Sequence, residues 1–153
     1  MTFSRSIDAT LAAAVSLAVI LIVIVKGDAL YVGIWYYAVV PAVVLGLCAA
    51  LRVNALFLLG ASLALAVTFI SYLAINWNAA RPEGLLALGH LFSLPGAVAG
   101  ALIAAALLRA LTSRVAILAL FVGFVGVILG FFANQLLVCN TVMWCGSLSL
   151  SFK

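Results

Sequence analysis

The stretch from Val115 to Val138 decides the fold class, and it reads VAILALFVGFVGVILGFFANQLLV. It contains no charged residue, and it exceeds the roughly 20 helical residues that cross a hydrocarbon core of about 30 Å. Four further apolar runs of similar size cover residues 8–25, 30–51, 55–75 and 85–111. Because backbone groups in lipid must be satisfied within a segment, we expect each run to be a helix.

Composition excludes a water-soluble domain. Of the 153 residues, 69% are hydrophobic and 7% are charged, whereas soluble domains average roughly 45–50% apolar and about 25% charged residues. The sequence therefore predicts an all-α integral membrane protein. We expect a compact bundle of five transmembrane helices in residues 1–138 and a short extended C-terminal tail in residues 139–153.

The first apolar run is expected to stay in the mature chain. It is longer than the apolar core of a typical secretory signal, which has 7–15 residues. Asp8 places a negative charge in what would be the positively charged start of a signal, and no A-x-A cleavage pattern follows the run. We interpret it as a retained helix.

Charged and aromatic residues predict the orientation in the membrane. With the N-terminus inside, the cytoplasmic basic residues are Arg5, Arg52, Arg109 and Arg114, and those outside are Lys26, Arg81 and Lys153. The outer boundary also receives Asp28, Glu83, Trp35, Trp77, Trp144, Tyr31, Tyr36 and Tyr37. We expect a bacterial inner-membrane protein with a cytoplasmic N-terminus and an external C-terminus. The net charge of +4 is spread thinly, which favours contact with membrane lipid and not with nucleic acid.

Small residues recur four positions apart and predict how the helices pack. Gly96 and Gly100 lie on the fourth run, and Gly126 and Gly130 lie on the fifth. Lipid tails are as apolar as leucine, so membrane helices associate by close contact between such residues. We expect these contacts within one chain. The fifth run, whose glycines are flanked by phenylalanines, is the best candidate for a homo-oligomer seam.

One group of polar residues is expected at similar depth below the outer boundary. It consists of His90, Asn134, Gln135, Ser71 and Tyr72, with a rim of Asp28, Asn76, Asn78 and Glu83. His90 lies about 8 Å down, at about 1.5 Å per helical residue. The group is either a small binding site or partner contact, or a histidine hydrogen-bonded to a neighbour that locks the bundle. We favour the second interpretation.

The sequence offers no catalytic, cofactor or metal site. No charged residue lies near a helix midpoint, where proton relays and ion-coupled sites usually need one. Ser62 is expected roughly 12 Å deeper than His90, beyond the reach of a catalytic pair. One histidine and three cysteines supply neither a two-histidine haem site nor a metal-ligand set. We therefore expect no enzyme.

The tail carries two predictions of its own. Cys139 and Cys145 are expected to form a disulfide outside the cytoplasm. Leu148, Leu150 and Phe152 alternate with serines, which is typical of a strand with one apolar face. That strand could pair with another chain's sheet edge, fold back onto the bundle, or remain disordered.

These features favour a non-catalytic polytopic membrane protein that acts through protein–protein contacts. It would be an accessory subunit of a membrane complex or an immunity-type antagonist of a membrane-acting toxin. Its partner would be another membrane or periplasmic protein. The alternative is a small channel or transporter for a lipid or neutral solute, in which a homo-oligomer is possible.

Overall fold

The structure, a computed structural model, describes residues 4–82, 84–110 and 115–141, without the side chain of Leu85. Every regular element in these ranges is a helix: α1 (Arg5–Lys26), α2 (Ile34–Ala50), α3 (Phe57–Asn78), α4 (Leu85–Ala110) and α5 (Ala116–Thr141). The predicted all-helical fold is confirmed. By length and composition, α1, α3, α4 and α5 could each cross a membrane, whereas α2 is a shorter apolar helix of 17 residues. The four long helices identify a membrane-embedded bundle, and the fifth crossing stays a prediction.

Helices α2 and α3 begin later than their apolar runs because the preceding loops turn sharply. The carboxylate of Asp28 accepts hydrogen bonds from the backbone amides of Leu30 (3.1 Å) and Gly33 (2.7 Å). Gly33 has a φ of 84°, and α2 starts after it, not at Leu30. Leu56 has a φ of 71°, which delays α3 to Phe57. A left-handed backbone cannot continue a right-handed helix, however apolar the side chains are.

The helix ends also differ from the predicted boundaries. α3 continues to Asn78, and α5 continues to Thr141. Residues 139–141 therefore belong to α5 and not to the tail. The remaining tail lies outside the described residues, as do Glu83 and Arg114, so the predictions for Cys145, Leu148, Leu150 and Phe152 lie there too.

Helix α3 lies at the centre of the bundle. It contacts each of the other four helices, and half of its membrane-length window is buried, against 22% for both α1 and α5. Small residues permit this crowding, because a side chain at Gly60 would collide with the backbone carbonyl of Leu120 on α5. A helix surrounded by protein has little lipid contact of its own, which suits it to carry buried polar groups.

Helices α4 and α5 form an antiparallel pair, which is the most extensive helix contact in the bundle. A Cβ added at Gly100 would meet the carbonyl oxygen of Gly126, and one added at Gly96 would meet that of Gly130. The four glycines singled out for packing therefore lie together in one seam within the chain, which we call the glycine seam.

Candidate functional site

His90 is a fully enclosed polar residue in the interior of the bundle. Its side chain on α4 is 0% exposed. Its Nδ1 lies 2.9 Å from the hydroxyl of Tyr36 on α2, and its Nε2 lies 3.2 Å from the hydroxyl of Thr68 on α3. The imidazole thereby joins three helices.

The hydrogen bonds fix the direction of each proton. The Thr68 hydroxyl donates to the carbonyl of Leu65 at 2.8 Å, so its single proton is used and it must accept from His90. His90 is then protonated on Nε2, and Nδ1 accepts a hydrogen bond from Tyr36. A neutral imidazole satisfies this arrangement fully, which is what burial in a membrane protein favours.

Aromatic rings close the remaining space around this imidazole. Phe69 stacks on it with ring centroids 4.6 Å apart, while Tyr72 and Phe131 contact it at 5.0 Å and 5.1 Å. The Tyr36 ring approaches edge-on at 5.9 Å. We call these four rings, His90 and Thr68 the histidine cluster. With these contacts, the His90 side chain is fully buried among the described residues.

The five residues predicted to cluster are only partly brought together. His90 and Tyr72 are in contact, and Gln135 is buried on α5 one turn beyond Phe131. The Tyr72 hydroxyl and the Gln135 Oε1 have no hydrogen-bond partner among the described residues. Asn134 is half-buried and donates to the carbonyl of Phe92 at 2.5 Å. Ser71 is exposed on the outside of α3 and is not part of the cluster.

The sequence does not predict the two direct partners of His90, Tyr36 and Thr68. Its pattern places Tyr36 only at the outer aromatic level, together with Tyr31 and Tyr37. Depth alone does not separate lipid-facing from inward-facing rings, since Tyr31 is 68% exposed whereas Tyr36 and Tyr37 are buried. Tyr36 lies six residues after the start of its predicted run, and His90 lies five residues after the start of its own. This similar depth was the signal in the sequence that the two side chains could meet.

Two residues of the predicted outer rim, Asp28 and Asn76, hold a loop, whereas Asn78 donates to the carbonyl of Ala74 within its own helix and Glu83 lies outside the described residues. Asp28 accepts from the Tyr37 hydroxyl at 2.6 Å, in addition to its two backbone amides. Asn76 donates to the carbonyl of Ala29 at 2.8 Å, and Trp77 donates to that of Gly27 at 3.2 Å. These bonds fix the α1–α2 loop to the end of α3.

Asp8 performs a similar task at the opposite end of the bundle. Its carboxylate is buried and accepts from the amides of Leu58 (3.2 Å) and Leu59 (2.9 Å) in the first turn of α3. Leu56, the residue at the cap position, supplies no side-chain hydrogen bond. Asp8 therefore caps α3 from another helix, where the negative charge also complements the helix dipole. The local sequence around Asp8 does not indicate this role, because the amides that it caps lie 50 and 51 residues away.

An apolar groove of about 740 Å³ lies on the outer side of the α4–α5 pair. Its walls are two exposed rows of side chains: Ala99, Ile103 and Leu107 on α4, and Phe121, Val125, Leu129, Ala133 and Leu137 on α5. Its floor is the glycine seam with Ala104. Asn134, bonded to Phe92, is its one polar lining residue. The groove can hold a hydrocarbon chain or a helix, and it presents no reactive group.

No set of three or more His, Cys, Asp or Glu side chains in the described ranges is arranged to hold a metal ion. A second, smaller cavity of about 140 Å³ lies beside Asp8 and is lined in part by Arg5, Cys48 and Arg52. Arg5 is already engaged there, because its guanidinium donates to the carbonyl of Arg52 at 3.2 Å. Comparison of the chain with protein-family models, curated protein sequences and solved structures gives no match.

Proposed function

We propose that this chain is a non-catalytic membrane protein that acts through protein–protein contacts, as an accessory subunit of a membrane complex or an antagonist of a membrane-acting toxin. The observation that carries the proposal is the apolar groove between α4 and α5. A concave apolar surface with a floor of glycines suits close helix packing, because membrane helices associate through van der Waals contact where backbones can approach.

The arrangement of the polar side chains supports a structural role for the interior. Both ring nitrogens of His90 are used in contacts between helices. Ser62 and Ser93 are buried, and each donates to a carbonyl of its own helix at 2.9 Å and 2.8 Å. A catalytic serine would instead need a base within hydrogen-bond reach and space for a substrate.

We further propose that α2 is a fifth crossing. Asp8 of α1 binds the first turn of α3, so α1 and α3 begin at the same end of the bundle. The loop before α2 is bonded to the last turn of α3, and the loop after α2 is bonded to Arg5. These contacts support a path of α2 from one end of the bundle to the other. Its 17 residues span about 25 Å, near the lower limit for a transmembrane helix.

The proposed orientation places the N-terminus in the cytoplasm of a bacterial cell. Arg5, Arg52 and Arg109 belong to the end where α1 and α3 begin, which agrees with the excess of basic residues on cytoplasmic sides. The opposite end carries the exposed ring of Trp35 and the Trp77 ring, with the Lys26 ammonium 5.2 Å from the Trp77 centroid. An external C-terminus would also permit the proposed Cys139–Cys145 disulfide.

Purification in a mild detergent tests the proposed function. We expect a distinct membrane or periplasmic chain to co-purify at fixed stoichiometry, and to be lost when Ala133→Phe fills the groove. Ala18→Phe, which adds the same bulk to an exposed site on α1, should retain the partner. In parallel, vesicles containing the protein should release a neutral solute and exchange lipid no faster than protein-free vesicles.

The alternative function predicts the opposite pattern. Solute release or lipid exchange well above that of protein-free vesicles, with no effect of Ala133→Phe on any bound chain, would contradict the proposal and favour a channel or transporter. Truncation after Gly146 separately tests the predicted tail strand, because only a pairing strand would reduce partner capture when removed.

A further inference from the structure

We propose that the apolar groove between α4 and α5 is occupied by a second copy of this chain, so that the protein is a two-fold symmetric dimer in the membrane. This inference rests on the proposed function, because it names the chain that fills the contact surface. An accessory or antagonist role would then belong to the dimer, and the distinct partner would bind the assembled dimer, so that Ala133→Phe would release both chains.

The first argument is that the same patch supplies both a groove and a ridge. The α5 wall, from Phe121 through Val125 and Leu129 to Leu137, is a row of exposed side chains four residues apart. Such rows are the ridges that fit grooves in helix packing. A two-fold interface requires a surface that is complementary to itself. Here the ridge of one copy can enter the groove of the other while its own groove receives the partner's ridge.

The second argument is depth in the membrane. Both copies are inserted in the same direction, so the symmetry axis runs along the membrane normal and residues of equal depth meet. Val125 and Leu129 directly precede Gly126 and Gly130, a difference of about 1.5 Å along the helix axis. The bulky ridge positions of one copy therefore lie level with the glycine floor of the other.

The third argument is the area available. Six large wall side chains are 46–64% exposed, namely Ile103, Leu107, Phe121, Val125, Leu129 and Leu137. Together they expose on the order of 700 Å², which is close to the roughly 800 Å² that each partner contributes to a standard interface. A single acyl chain would cover only part of two parallel rows of this length.

Site-specific crosslinking in native membranes tests the dimer. Leu129→Cys places a thiol on the ridge, and Leu17→Cys places one on α1, at a similar number of residues from the helix start and with similar exposure (56% against 64%). A short bifunctional maleimide should convert most of the Leu129→Cys chain to a species of twice the chain mass. It should leave Leu17→Cys monomeric, like the parent chain with its native cysteines.

A groove-filling variant provides the second measurement. Ala133 is an exposed wall residue, so Ala133→Phe in the Leu129→Cys chain should leave the bundle folded and lower the crosslinked yield at least fivefold. Ala18→Phe in the same chain should not lower it. Folding of each variant is checked by its thermal transition in detergent.

The outcomes separate this inference from the proposed function. Crosslinking of Leu129→Cys to a different chain, without a self-adduct, overturns the dimer and leaves the proposed function standing. Crosslinking to no protein, or only to a photoactivatable phospholipid used as a probe, overturns both. Equal self-adduct yields from Leu129→Cys and Leu17→Cys also overturn the dimer, because random collision would then explain them.

Discussion

The two faces of α4 hold their neighbours in different ways. On one face, the imidazole of His90 reaches hydroxyls on α2 and α3, and large aromatic rings fill the space around it. On the other face, Gly96 and Gly100 bring the backbone of α4 against that of α5. Hydrogen bonds join helices whose backbones stay apart because side chains lie between them. At the glycines no side chain lies between the two backbones, so they touch.

This difference explains why one face is closed and the other carries a groove. In the histidine cluster, rings pack into the volume between the helices, and the His90 side chain is fully buried. At the glycine seam the backbones touch, and the exposed rows on α4 and α5 stand apart on either side of a shallow floor. Close packing of backbones therefore creates the shape that a further chain could use.

The largest expected effect comes from opening the glycine seam. Gly100→Leu should destabilise the bundle by at least about 3 kcal/mol, because the new side chain meets backbone that cannot move aside alone. Thermal unfolding in detergent measures the loss. Gly46→Leu is the matched control, since a Cβ at Gly46 has no neighbour within 4 Å. Equal melting temperatures for the two variants would mean that the seam does not depend on backbone contact.

A substitution in the histidine cluster should lower the free energy of unfolding by less than Gly100→Leu does. His90→Ala removes two hydrogen bonds and leaves a cavity among the rings, and we expect a loss of about 2–3 kcal/mol. Partner capture per folded molecule should not change, because the imidazole is enclosed. A loss of capture with an unchanged melting temperature would contradict the structural role assigned to the cluster.

A double-mutant cycle isolates the bond at the centre of that cluster. Tyr36→Phe and His90→Phe both retain a ring, and because both partners are buried we expect a coupling energy between about 0.6 kcal/mol, the average for such hydrogen bonds in a membrane bundle, and about 1.7 kcal/mol, the largest. Unfolding in a denaturing detergent measures the four variants. Strict additivity would show that the rings, and not the hydrogen bond, hold this face of α4.

Replacement of Asp8, whose carboxylate caps α3, tests whether hydrogen bonds also stabilise the bundle at its end. Asp8→Ala should cost about 1–2 kcal/mol, because the amides of Leu58 and Leu59 lose their acceptor. Asp8→Asn keeps one oxygen and should retain part of that stability, which unfolding in detergent would measure. If Asn and Ala destabilise equally, the charge and not the hydrogen bonding is what α3 requires.

The smallest effect is expected where a polar bond supplements the glycine seam. Asn134→Ala removes the hydrogen bond to the Phe92 carbonyl and should cost about 0.6 kcal/mol, the average for such bonds in a membrane bundle. Asn140→Ala is the control, because it removes only a hydrogen bond within α5. Unfolding of both variants is measured in the same detergent. A cost for Asn134→Ala that approached that of His90→Ala would remove the distinction between the two faces.

Much of this architecture could be predicted because membrane insertion depends on composition. The apolar runs gave the helices to within a few residues, and the glycines four apart marked the face on which α4 meets α5. The candidate cluster was predicted only in part. Depth along separate helices placed His90 near Tyr72, but it could not show that Ser71 faces outward or that Tyr36 and Thr68 bind the imidazole.

The sequence by itself determined that the chain is helical and lies in the membrane, because solvation by lipid acts on each segment separately and needs only length and apolarity. Tertiary structure decided which side chains meet. Rotation of each helix about its axis sets whether a tyrosine faces lipid or His90, and Asp8 caps a helix 50 residues away only because α1 packs against α3. The groove likewise exists only once α4 and α5 are in contact. Such features depend on pairs of distant segments, and local sequence pattern does not specify those pairs.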